Sequence, residues 1–400
     1  MELKASVQGS TGLLGRGHVL LLFLVSGLGV LAGGLVGPAL PGMGAHFGRG
    51  VNDLELRLVL TTPALFMAIA AASSPFLRSH ISQRTVLVAA LLVYGASGAA
   101  GAVASSLVLL LVLRALQGLA TGLLMTTVIT IIADMFEGER RTDLLAQQSA
   151  FMSASSIVVA LIAGLLAALD WRATFLTYGL AFLLVRPAIG MPSLPSSSRP
   201  KGSHLVRQEK WVIAILSIAA FFGMLGFYLL PMLVPFLLPK IGYASPIAAG
   251  GALALAMATS AAGSLAYRAM RRSAGASALL TIALAMMAVS VGAIGQAETL
   301  VWLMLWMALF GTGMGILLPN LSDTAAMRIH PDSRHVAIGA ITMGLFMGQF
   351  ASSLASKPAL DAGGLGLAFG TAALLLAVAT AILPLGLVVT RTRPLPAPDS

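Results

Sequence analysis

Arg114 is the residue of this sequence with the most chemistry to account for. It stands about seven residues into an apolar stretch from 107 to 133, roughly 10 Å along a helix. An ionised group at that depth in a membrane costs roughly 2.5–3.5 kcal/mol on permissive scales, and such groups face a bundle interior or a wet cavity. A guanidinium there could grip an anionic ligand with two parallel donors, or act on a neutral or cationic one indirectly, by holding the polar lining of a cavity. The bland alternative is an arginine that snorkels to the outer interface. Gln117 and Thr121 join Arg114 as candidates from the same stretch. The amides Asn320 and Gln349 stand in later apolar stretches, where an amide seeks a partner helix or a ligand. Phe222, Phe227, Tyr228, Trp306 and Phe346 could supply an aromatic surface that, with nearby Met224, Met304 and Met307, re-packs around varied apolar ligands. Lipid-facing packing competes for the same residue types.

Acids are the missing element. All 14 fall in tails, connections or the ends of apolar stretches, whereas a proton-exchanging carrier usually holds a buried group that changes charge. Asp53, Glu55 and Asp134 come nearest. As helix-end acids they would rest in water or pair with Arg57, Arg140 or Arg141. The six histidines lie in connections or at stretch ends without the spacing of a ligand pair, and Cys is absent; no metal and no cofactor are expected. Enzyme motifs are missing, so no enzyme is expected, and without a phosphate-binding G-x-x-x-x-G-K-[ST] loop nucleotide hydrolysis to power transport is not expected.

The elements that must position these residues follow from composition. Of 400 residues 58% are hydrophobic and 10% charged, against a soluble norm of roughly 45–50% and about 25%. A membrane span needs roughly 20 apolar residues, and twelve are read: 18 to 41, 54 to 74, 84 to 104, 107 to 133, 144 to 168, 172 to 190, 211 to 233, 245 to 267, 276 to 296, 299 to 319, 335 to 356 and 364 to 389. The expected fold class is therefore an all-α membrane protein. Residues 191 to 210, rich in Pro, Ser and charge, read as a cytoplasmic linker between an N-terminal six-helix bundle, 1 to 190, and a C-terminal one, 211 to 400. Helix breaks are expected at Pro38, Pro63, Pro231, Pro235 and Pro319.

With the N-terminus inside, eighteen of the 24 Lys and Arg residues fall on the cytoplasmic side, five (Arg49, Arg57, Arg172, Lys240 and Lys357) on the outer side, and Arg114 within a span. That partition follows the positive-inside rule. It also explains the net charge of +10 without nucleic acid, which would want the basic groups on one soluble face.

The halves repeat. Gln117-Gly118-Leu119-Ala120-Thr121-Gly122 and Phe310-Gly311-Thr312-Gly313-Met314-Gly315 each carry a G-x-x-x-G in the same relative place, so Gly118, Gly122, Gly311 and Gly315 are the expected helix-packing glycines. Arg140 and Arg334 follow the two spans at matching positions, while Met307 stands where the first half has Arg114. Two six-span repeats are a transporter architecture.

On these residues the sequence resembles the major facilitator superfamily, and within it the bacterial drug/proton antiporter-like branch. The stretch from 110 to 122 is similar to the family's fourth-span motif, with Arg114, Gln117 and Gly118 in place. The family's charged loop, G-x-L-A-D-R-x-G-R-R, is matched by Gly263-Ser264-Leu265-Ala266-Tyr267-Arg268-Ala269-Met270-Arg271-Arg272, with Tyr267 at the acid position; Ser79 stands there in the first half. Trp171-Arg172-Ala173-Thr174-Phe175 resembles the start of the sixth span, and the antiporters' Gly-Pro pair falls on Ala160-Leu161. The resemblance implies two six-helix bundles related by a pseudo-two-fold axis and gating by Asp134, Arg140, Arg268, Arg271, Arg272 and Arg334. It also implies a secondary transporter of the inner membrane, a monomer moving a small lipophilic or amphipathic molecule by alternating access. Efflux is the first expectation, with protons as the candidate coupling ion and membrane lipid as the surrounding partner. Uptake of a small organic anion anchored by Arg114, or a non-transporting scaffold or sensor, stand as alternatives. A tag after Ser400 and one within residues 195 to 201 are both expected on the cytoplasmic side; protease access to either from outside would overturn the topology.

Overall fold

The computed structural model describes residues 16–78, 81–136, 138–192, 206–330 and 333–389. All secondary structure among them is helical. The helices are α1 (Arg16–Gly34), α2 (Leu40–Phe47), α3 (Leu54–Arg78), α4 (Gln83–Ala100), α5 (Leu107–Met135), α6 (Gly138–Leu169), α7 (Trp171–Leu176), α8 (Ala181–Ile189), α9 (Arg207–Leu237), α10 (Pro246–Ser273), α11 (Ala276–Ile294), α12 (Leu300–Arg328) and α13 (Arg334–Val389). Among the described residues, ten helical stretches are long and apolar enough to cross a membrane. The segment expected as the sixth span, in which the 3₁₀ turn Thr177–Leu180 separates α7 from α8, is not among the ten. The last stretch, α13, holds the two final expected spans in one run. Gly364 interrupts it with φ 68° and ψ −154°, a conformation open to glycine and not to residues with a Cβ.

Helix starts are written in the sequence. Ser106 accepts the Leu109 N–H at 3.2 Å ahead of α5, and Thr299 accepts the Trp302 N–H at 3.2 Å ahead of α12. Both helices are 29 residues long. Adding 193 carries Ser106 onto Thr299, Gly118 onto Gly311 and Gly122 onto Gly315, so the repeat extends to the caps.

The proline expectation holds at one place and fails at four. Pro38 lies in the 3₁₀ turn Gly37–Ala39 between α1 and α2. Pro63, Pro231, Pro235 and Pro319 instead sit inside α3, α9 and α12, which run through them. A proline removes one backbone donor, and in a packed bundle neighbouring groups make good that loss, so the helix continues.

Contacts divide the chain into two compact units, Met1–Pro200 with Pro231–Ala254 and Lys201–Leu230 with Leu255–Ser400. Each unit contains the same close helix crossing. In the first, a Cβ on Gly118 would strike the Pro63 carbonyl of α3 and one on Gly122 would lie 2.7 Å from the Met67 carbonyl. In the second, the corresponding atoms would strike Ala256 from Gly311 and Ser260 from Gly315, both in α10. Backbone thus lies directly on backbone, the arrangement small residues permit in a membrane. Gly311→Ala is expected to lower the thermal midpoint in detergent by an overpacking cost of about 1–3 kcal/mol. Gly339→Ala, where nothing lies within 4 Å, is expected to hold or raise it; equal midpoints for the two variants would contradict the crossing.

Candidate functional site

Arg114 is 1% exposed and enclosed by the first unit. Its Nε–H donates to the Val59 carbonyl of α3 at 2.9 Å and its Nη2 to the Ala32 carbonyl of α1 at 2.8 Å. Nη1 donates to Gln117 Oε1, one turn along α5, and to the Tyr178 hydroxyl at 3.2 Å. The Tyr178 ring also lies 5.7 Å from the guanidinium carbon. One side chain therefore joins α1, α3, α5 and the 3₁₀ turn that divides α7 from α8. Its charge faces carbonyl dipoles, an amide oxygen and an aromatic ring, with no carboxylate among its described partners.

Tyrosines complete this centre. The Tyr94 hydroxyl of α4 donates to the Leu28 carbonyl at 2.6 Å, and the Tyr178 hydroxyl donates to Leu31 at 3.4 Å. Their rings meet edge to face at 5.7 Å. The Thr121 hydroxyl is turned back on its own helix, donating to the Gln117 carbonyl at 2.7 Å. Below them, buried Gln148 of α6 donates to Ser26 of α1 at 2.7 Å, while its neighbours Gln147 and Ser149 are exposed.

The sequence pattern marks neither Tyr94, which stands among apolar neighbours, nor Tyr178, three residues beyond the motif stretch Trp171 to Phe175. Arg57 is a second difference. Counted on the outer side at the start of the second expected span, it lies in the first turn of α3 and is 0% exposed, a burial that the sequence does not show. The outer acids pair elsewhere: Arg49 stands 3.6 Å from both Asp53 and Glu55.

In the second unit the candidates do not share one centre. Phe227 packs near Tyr228 and Phe310, with centroids 5.4 and 6.4 Å away. Trp306 is half-buried beside Trp302, and Phe222 lies against Phe221. Phe346 is half-buried and Gln349 buried on α13. Asn320 belongs to a different group, donating to the Ala276 carbonyl at 3.0 Å and accepting from the Tyr267 hydroxyl at 3.3 Å. That hydroxyl also lies 2.9 Å from Asp323 Oδ2, which accepts from Arg271 Nε at 2.8 Å. Tyr267 thus occupies the loop motif's acid position while α12 supplies the carboxylate from Asp323. In the sequence Asp323 is one helix-end acid among several; its signal is a tyrosine at the motif's acid position together with an acid on the helix that the Gly311 and Gly315 crossing brings alongside.

The other gating candidates are separate. Asp134 accepts from Gln83 Nε2 at 2.8 Å, Arg334 donates to the Ile329 carbonyl at 3.2 Å, and Arg268 and Arg272 are exposed. Arg140 lies 5.6 Å from the Phe136 ring and is exposed. Glu137, Pro331, Asp332 and the central linker residues 193–205 lie outside the described residues. No group of three or more potential metal ligands gathers among the described residues.

The first unit also contains a groove of about 560 Å³ between α1, α6 and the α8 region, walled by residues such as Leu24, Leu31, Phe151 and Val158, with Ser155 supplying the side-chain hydroxyl.

A family model described as Major Facilitator Superfamily matches residues 22–353. No curated protein matches the chain. Among solved structures it is similar to a bacterial homologue of the human lysosomal transporter Spinster in an inward-facing, unoccupied conformation. That likeness has 14% identity and a TM-score of 0.75, and spans 95% of this chain and 98% of that one. It is also similar to the nucleoside transporter NupG, at 13% identity and TM-score 0.72 over 93% and 99% of the two chains. The human organic anion transporter MFSD10 matches at 19% identity and TM-score 0.66 over 92% and 99%. At such identities the likeness is one of fold.

Removing the guanidinium strands several buried acceptors, each at roughly 1–3 kcal/mol. Arg114→Met is therefore expected to lower the thermal midpoint far more than Arg140→Met, a surface change expected within about 0.5 kcal/mol. Equal stability of the two variants would contradict the described network.

Proposed function

We propose that this chain, which belongs to the Major Facilitator Superfamily, exports small lipophilic or amphipathic molecules by alternating access. Membership makes it a multi-pass small-molecule transporter and not an enzyme. On this reading it crosses the membrane twelve times. The ten long stretches supply eleven spans once α13 is divided at Gly364, and the broken α7 and α8 segment is the twelfth. Both termini are cytoplasmic, the protein is a monomer of the inner membrane, and the two repeats rock about a central path.

The apolar groove of about 560 Å³ is the observation that carries the substrate class. Its volume falls within the roughly 300–1,000 Å³ of small-molecule sites, and its lining offers little to a strongly polar solute. Arg114 supports the same side of the choice. Four of its contacts are spent on protein oxygens, so an organic anion would have to displace partners from four segments to reach it. Arg114 then works as a clip that fixes the first unit, and Gln117 and Thr121 as parts of that clip.

Protons are the candidate coupling ion. The acids near the chain's inner helix ends, Asp134 with Gln83 and Asp323 with Tyr267 and Arg271, are tied to neighbours, and Asp53 and Glu55 pair with Arg49. Their amide variants, tested one at a time, are expected to leave the pH dependence of transport nearly unchanged.

Inverted vesicles with an acid interior test the reading. A lipophilic dye is expected to accumulate inside them against its own gradient, and to stop when the pH gradient is collapsed. Accumulation of small organic anions, abolished by Arg114→Met in protein that still folds, would establish the opposing reading.

A further inference from the structure

We infer that the seam between α1 and α6 binds a single-chain amphiphile whose headgroup carries one positive and one negative charge. The binding stands by itself; that the ligand is then exported rests on the function proposed above.

Two cavities lie in succession along this seam. The first, about 380 Å³, is walled by Val19, Leu20 and Phe23 of α1 and by Arg140, Asp143 and Gln147 of α6. The second is the apolar groove, which begins at Leu24 on α1 and at Phe151 on α6. Both helices run in the same direction through the two cavities, since residue numbers rise from the first to the second on each. Phe23 and Phe151 stack at 6.0 Å and mark the boundary. Charge therefore sits at one end of the seam and apolar surface at the other.

The charged end is suited to a zwitterion. Arg140 and Asp143 line the same cavity, yet no ion pair joins them to each other or to another described residue. The described contact of Arg140 is with the Phe136 ring, 5.6 Å away. A phosphate could take the guanidinium's paired donors while an ammonium group meets the Asp143 carboxylate. A purely anionic head would be set against Asp143, and a purely cationic one against Arg140, so a ligand with both charges satisfies the cavity where either alone does not.

The apolar end is open at the side. Val158 and Leu183 on its rim are 53% and 71% exposed, and apolar residues exposed on a spanning helix meet lipid. The tail can then slide in from the bilayer while the head stays at the charged end. A groove volume in the lower half of the usual ligand range suits one chain.

The test uses the full chain in nanodiscs and a photoreactive palmitoyl phosphocholine with a single chain. Crosslinks are expected on α1 and α6. Unlabelled palmitoyl phosphocholine is expected to compete at least about tenfold better than an alkyl sulfate or alkyl trimethylammonium of the same tail, a difference of roughly 1.4 kcal/mol. Arg140→Gln is expected to weaken phosphocholine about tenfold and spare the trimethylammonium. Asp143→Asn is expected to weaken phosphocholine equally and spare the sulfate. Ala154→Leu, which fills the groove from an exposed position, is expected to reduce labelling with the thermal midpoint unchanged. Equal competition by all three heads, or labelling indifferent to Arg140 and Asp143, would mean ordinary lipid contact and overturn the site. Head selectivity without accumulation in vesicles would sink the export reading and leave the site standing. Dye export that persists in variants with unaltered phosphocholine labelling would do the reverse.

Discussion

A bilayer contains no water to complete a hydrogen bond, and this one constraint orders the rest of the structure. Backbone polar groups carried into the membrane must find partners within the protein, and buried side chains feel the same pressure, although the Gln117 amide nitrogen and the Ser217 and Thr324 hydroxyls have none among the described residues. Arg114 is the extreme case, with five donors to satisfy. It is met by carbonyls of α1 and α3, by Gln117 on its own helix and by Tyr178. The price of burying the charge is offset by joining four segments at one point. Lesser cases follow the same rule: Thr121 and Ser356 donate to carbonyls of their own helices, and Arg328 donates to the Leu387 carbonyl at 2.8 Å near the end of α13.

The two repeats share their backbone geometry and differ in their polar content. Adding 193 carries each glycine crossing and each cap of α5 onto α12. The same shift carries Arg114 onto Met307, which is fully buried. The first unit therefore has a polar centre where the second has a thioether among apolar neighbours. The second unit gathers its charges near the end of α12 instead, in the group of Tyr267, Asp323, Arg271 and Asn320. Close packing by glycine is what both halves need to stand; the polar groups are free to diverge because each needs only a local set of acceptors.

Legibility in the sequence follows from range. Apolar length and G-x-x-x-G spacing are local, so the helical membrane fold and the paired glycines could be read from the chain. Caps such as Ser106 and Thr299 are equally local. The full burial of Arg57 is not legible, because burial of a helix's first turn depends on neighbours distant in sequence. Pro63, Pro231, Pro235 and Pro319 were read as breaks because sequence shows the lost donor and hides the packing that compensates for it. Arg114 is visible as a buried charge, but two of its four acceptors are backbone carbonyls, which every residue carries and no motif marks. The partner of Arg271 was hidden for another reason: Asp323 lies 52 positions away and stands near a helix end, where acids are common.

Arg114 is held by the protein and closed to solutes. Its reactivity toward a small dicarbonyl reagent in native membranes tests this directly, with modified sites read by peptide mass spectrometry. Exposed Arg140 is expected to react, and Arg114 to remain unmodified until the protein unfolds, with or without an organic anion present. Rapid modification of Arg114 in the folded protein, slowed by an added anion, would show an open binding site and contradict the account.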